Sequence, residues 1–158
     1  MSTTSSDTTT AIEREIAIAA RPETVWEFFV DPEKACRWMG LSAELDPQPG
    51  VIYRVEVIPG NVARGVFVEL DPPRRLVYTW GWEPGPDGPN PVPPGSSTVE
   101  IGLEAAGGGT RLTFVHRDLP GVEAARSHAE GWDHFLQRLV TAAQGGDPGR
   151  DPWLGEPA

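Results

Sequence analysis

Between Val122 and Ala143, apolar residues recur at Ala125, Ala129, Trp132, Leu136, Leu139, Val140 and Ala143. That spacing holds them on one side of a helix for about six turns. Gly145-Gly146 caps the helix, and Pro148 prevents its continuation. A helix with one long apolar face needs a broad apolar surface to lie on. Whatever this chain folds into must provide that surface.

The preceding residues offer it as strands. Val51, Tyr53, Val55 and Val57 alternate with Ile52, Arg54 and Glu56, the period of a strand with two unlike faces. Ile12, Ile16 and Ile18 open the chain in the same manner over 11–19. Residues 62–70, 75–82 and 98–104 continue the alternation, and Leu112, Phe114 and His116 share one face of the last strand. Pro59-Gly60-Asn61, Asp71-Pro72-Pro73 and the glycines at 107–109 read as turns. Between the first two strands, Pro22 and Glu23 suit a helix start, followed by Val25, Trp26, Phe28 and Phe29. Asp31-Pro32 ends that helix and starts another short one through Trp38. Consecutive strands joined by short turns imply an antiparallel meander. The predicted class is therefore α+β: a curved antiparallel sheet of six to seven strands around the long C-terminal helix, with two short helices after the first strand.

One domain is expected over 11–144. Residues 1–10 are Ser/Thr-rich and read as a disordered lead, since they offer nothing to bury. Residues 145–158 read as a flexible tail, on which Trp153 and Leu154 could dock back. Glu83 to Ser96 holds six prolines in fourteen residues, which excludes a helix or central strand and predicts a long semi-rigid loop.

Charge narrows the partners. Thirteen basic residues against 23 acidic give a net charge of −10, which repels phosphate backbones, so no nucleic-acid partner is expected. Anionic membranes are disfavoured for the same reason, and no apolar run approaches the length of a membrane span. The N-terminus carries no signal-peptide pattern. A single cysteine, Cys36, leaves no disulfide framework. A cytoplasmic location is the expectation.

The order of elements carries a set of particular residues: Ala20-Arg21-Pro22-Glu23-Thr24-Val25-Trp26, Arg37-Trp38-Met39-Gly40, Asp46-Pro47 with Pro49-Gly50, and Gly65 followed by Glu69 to Leu76. Thr79-Trp80, Gly109 to Thr113, His116 and Gly131-Trp132 complete it. In that order they resemble the helix-grip fold of the START-like or SRPBCC superfamily, and within it the bacterial proteins related to the activator of the heat-shock-protein-90 ATPase. The resemblance spans roughly residues 11–143. The departures are Val51, where a second glycine is usual after Pro49-Gly50, and the length of the loop 83–96. It implies a protein of a superfamily that includes lipid and hormone carriers, aromatic polyketide cyclases and co-chaperones. The eukaryotic activator has a further domain that engages the chaperone. This chain has no room for one, so a chaperone partner is not expected.

Fold does not give function, so the candidate site rests on side chains. Tyr53, Tyr78, Trp80, Trp82, Phe114 and Trp132 form an aromatic face that either lines a pocket or fills a core. Trp38, Met39, Val55, Ile101 and Phe135 are placed with them. Gly131 lies inside the long helix, where glycine costs roughly 1 kcal/mol against alanine. It makes room either for a ligand or for a strand tryptophan. His116 faces inward by parity, and His128 lies one turn before Trp132. Either could orient a ligand or act as acid or base, but a satisfied structural histidine is the commoner outcome. Arg64 would face the pocket if strand parity runs without a bulge. Cys36 beside Arg37 is a reactive thiol or, more often, a small core filler. No metal motif is present, no cofactor is expected, and no catalytic residue is assigned. Three functions remain: binding of a small hydrophobic, aromatic or lipid-like molecule; a cyclase- or hydrolase-type enzyme using a cavity histidine; and an interaction or chaperone-associated module, possible as a homodimer, with a filled core.

Overall fold

Alternating burial decides which way each strand faces. The computed structural model describes residues 11–85, 88 and 90–154, so the lead expected over 1–10 lies outside the described residues. Strands β1 (Ile12–Ile18), β2 (Ser42–Leu45), β3 (Ile52–Ile58), β4 (Asn61–Asp71), β5 (Arg75–Trp80), β6 (Ser97–Ala106) and β7 (Gly109–Arg117) form one curved antiparallel sheet. Its order is β1-β7-β6-β5-β4-β3-β2. The first strand thus pairs with the last, Ile12 opposite His116 and Ile18 opposite Thr110. Helices α1 (Pro22–Val30) and α2 (Pro32–Ala35) follow β1, and α3 (Val122–Ala143) closes the domain. The bounds of α3 are those the apolar spacing predicts.

Every second residue of β6 (Ser97, Val99, Ile101, Leu103) and β7 (Thr110, Leu112, Phe114, His116) is buried. These side chains meet Trp132, Phe135, Leu136 and Leu139 of α3 in one continuous core. Each large apolar side chain so buried contributes about 1.5–3 kcal/mol. The other sheet face is wet and charged. Arg75 bonds both Glu69 at 3.2 Å and Glu100 at 3.0 Å, and Arg117 also reaches Glu100. Such exposed pairs add at most about 1 kcal/mol each.

Three local details differ from the expectation. The short strand β2, SAEL, has no strong apolar period and exists because it pairs with β3. Helix α2 stops at Ala35, because the chain turns there and carries Trp38 inward, where its indole N–H donates to the Phe28 carbonyl at 2.8 Å. Arg64 points outward. Ala63, Gly65 and Phe67 are the buried residues of that stretch, the register slip falls between Phe67 and Glu69, and Arg64 stands 3.6 Å from Glu83 in solvent.

Candidate functional site

The sheet and α3 do not meet along their whole length. Beside the N-terminal half of α3 they leave a cavity of about 700 Å³. Its sheet wall comes from the ends of β3 and β5, through Val57, Ile58 and Trp80. Its helix wall comes from Ala124, His128, Gly131, Trp132 and Phe135. Exposed Glu123 and Ser127 stand at the mouth.

The proline-rich loop supplies a third wall. The Trp82 backbone N–H donates to the Val92 carbonyl at 2.7 Å, and the Asn90 side chain accepts from the Val92 N–H at 2.9 Å. Val92 is thereby buried against the domain. Gly81 makes this possible. A Cβ there would lie 1.8 Å from the Pro93 carbonyl oxygen, so only glycine lets the loop cross the end of β5.

Of the residues placed on the candidate face, Met39, Trp80, Trp82, His128, Gly131, Trp132 and Phe135 line the cavity. Trp38, Tyr53, Val55, Tyr78, Ile101, Phe114 and His116 are buried beneath it in the core. Tyr53 stacks on Tyr78 with ring centroids 4.2 Å apart. Phe114 lies 4.6 Å from Trp132. Missing from the sequence reading are, among others, Val57, Ile58, Asn61, the loop residues Asn90 to Val92, and Trp153. Strand parity with Val55 could have indicated Val57, and Val92 is the lone apolar side chain among prolines.

The two histidines form a neutral, fully bonded pair. The Trp132 indole N–H donates to His116 Nδ1 at 2.9 Å. That leaves the His116 proton on Nε2, 2.9 Å from Ser97 Oγ, and the Ser97 hydroxyl donates to the Trp80 carbonyl. The Trp82 indole N–H likewise donates to His128 Nε2 at 3.0 Å, so His128 Nδ1 carries the proton to the Ala124 carbonyl. The rings are 5.3 Å apart, edge to face. Burial, and secondarily the neighbouring His128, push His116 down to about 3. Burial also lowers His128. Neither ring has a free nitrogen for a ligand, and His116 with Ser97 is sealed from the cavity. Trp80 Nε1, by contrast, is buried without a hydrogen-bond partner, against the rule that such groups find one.

Other candidates resolve more simply. Burial raises the Cys36 thiol rather than lowering it, so it is not an activated nucleophile. Asp133 is tied to Arg14 at 2.7 Å on the surface. Among the described residues no three His, Cys, Asp or Glu side chains stand close enough to hold a metal, and no helix is long and apolar enough to cross a membrane. Gly131 meets no strand tryptophan. A Cβ there would find only Trp153, at 4.0 Å. Gly131→Ala is therefore expected to stabilise the protein by about 0.5–1 kcal/mol through helix propensity. Thermal melts check this, and a lower Tm would mean the helix surface at Gly131 is already filled.

The family model for Activator of Hsp90 ATPase homolog 1-like protein matches residues 19–144. The solution structure of an AHSA1-like protein from Rhizobium etli is 47% identical, with 94% of this chain and 90% of that one covered and a TM-score of 0.71. CalU16 from Micromonospora echinospora is 27% identical, with 82% and 73% covered and a TM-score of 0.64. The Aha1 dimer from Colwellia psychrerythraea is 18% identical over 87% and 98%, with a TM-score of 0.72, a likeness of fold alone. No curated protein matches the chain.

Proposed function

The chain belongs to the family of activator of Hsp90 ATPase homolog 1-like proteins, and on that premise we propose that it binds a small apolar, aromatic or lipid-like molecule between the sheet and α3. The observation that carries this reading is the cavity itself. About 700 Å³ bordered by Trp80, Trp82 and Trp132 matches the size and apolar lining of sites that enclose small organic ligands.

A cyclase- or hydrolase-type activity finds less support. General acid–base work needs a group poised near the working pH and within reach of substrate. His116 fails on both counts, and His128 has both nitrogens engaged.

Native mass spectrometry of the purified protein, with a thermal-shift panel of neutral aromatics and lipids, tests the proposal. A ligand at a hundredfold excess over its Kd stabilises by about 2.7 kcal/mol, which raises Tm by roughly 5–11 °C for a domain of this size. No bound mass and no stabilisation across a broad panel would sink the binding reading.

A further inference from the structure

The segment after α3 is built into the cavity wall. Arg138 of α3 holds it from beneath, donating to the carbonyls of Pro148 at 3.2 Å and Gly149 at 2.8 Å, and also to that of Trp38 at 3.2 Å. Asp151 pins it. The residue is buried, 2% exposed, and its Oδ1 accepts from His134 Nε2 at 2.8 Å and from the Trp153 backbone N–H at 2.9 Å. Its Oδ2 accepts no hydrogen bond and stands 3.8 Å from Arg138 Nε. A buried carboxylate is costly unless its partners are close, so this arrangement persists only while the strap is docked.

The pinned residue carries Trp153. Its ring lies flat on His134, centroids 3.8 Å apart and 5° from parallel, with its edge towards Phe135 at 5.5 Å. From there it lines the cavity beside Gly131, where a Cβ would stand 4.0 Å from the ring. The strap, 145–154, lies beyond the residues that the family model matches.

We propose that this C-terminal strap sets what the cavity accepts: Trp153 is a ligand-contacting wall, and Asp151 is the residue that positions it. This rests on the cavity being a binding site. A ligand portion that reaches Gly131 meets the Trp153 ring, which favours flat aromatic or conjugated groups over bulky ones. Asp151 acts only through the strap, because the sheet and α3 hold together without it.

The test is a titration of the full chain with Nile red, a flat neutral dye. Ser127→Trp, at the exposed mouth, blocks the cavity independently of the strap. The expected result is saturable binding by the wild type, weakened by ~5-fold or more in Trp153→Ala and Asp151→Ala, kept in Trp153→Phe, and lost in Ser127→Trp. Fluorotryptophan labelling with fluorine NMR separates positioning from general structure. The chain has six tryptophans, and Asp151→Ala is expected to move the Trp153 resonance to that of a free indole while the others stay. Strap variants that bind like wild type, with Ser127→Trp impaired, overturn the strap's role and leave the cavity reading intact. An Asp151→Ala spectrum in which every tryptophan moves overturns the positioning role. A wild-type chain that takes up no dye removes both.

Discussion

Gly81→Ala is expected to destabilise the protein by at least about 3 kcal/mol and to abolish ligand uptake. The new methyl would overlap the Pro93 carbonyl oxygen, with the Pro93 carbonyl carbon 2.3 Å away. Backbone on both sides leaves no flexible side chain to yield. The loop must lift from β5, which breaks the Trp82–Val92 hydrogen bond and exposes Val92. Thermal melts should show a fall in Tm of roughly 6–12 °C. Gly65→Ala is a useful companion, because its Cβ would stand 2.0 Å from the Thr79 carbonyl oxygen within the sheet. It should lower Tm comparably without touching the loop. A Gly81→Ala protein that melts with the wild type would show that the loop does not cross β5 as described.

The second large effect is on acid stability. The folded protein keeps His116 neutral down to about 3, whereas the unfolded chain takes up that proton near 6.5. Between those values the unfolded state binds more protons, so stability falls as pH falls. The loss grows by about 1.4 kcal/mol for each pH unit below ~6.5, reaching roughly 2–3 kcal/mol near pH 4.5. His128, facing His116 and also lowered by burial, adds in the same direction. The lowered carboxylates act later. Glu83, Glu100 and Asp133, held down by hydrogen bonds from Arg54, Arg117 and Arg14, lose their contribution only in and below the ordinary carboxylate range. Urea melts from neutral pH to ~4.5 measure the histidine window. His116→Asn should be less stable at neutral pH, having lost one of its bonds to Trp132 or Ser97, but flatter across the window. An unchanged slope would assign the acid sensitivity to other groups.

Much of this molecule was legible as pattern. The period of α3, the alternation of β3 through β7 and the turn glycines are local signals, because backbone geometry fixes which residues share a face. β2 was not legible, because four residues with weak alternation become a strand only when β3 offers its edge. Parity gave β5 its two faces but misjudged Arg64 in β4, whose neighbours Ala63 and Gly65 take the inward face.

The candidate site divides along the same line. By itself the sequence determined that aromatic side chains of β3, β5, β7 and α3 share one interior. Only the tertiary structure decided which of them meet space and which meet each other. Periodicity states a direction but not a depth: Tyr78 and Trp80 point the same way from one strand, yet Tyr78 stacks on Tyr53 while Trp80 borders the cavity. Three of the cavity's boundaries, the loop at Asn90 to Val92, the bonded pair Trp82–His128 and the strap at Trp153, join residues distant in sequence through close packing and hydrogen bonds. No local period encodes such contacts, because they depend on where separate segments come to rest. The long helix from Val122 to Ala143 was certain from its spacing, and the space left beside it was decided by what the rest of the chain brought there.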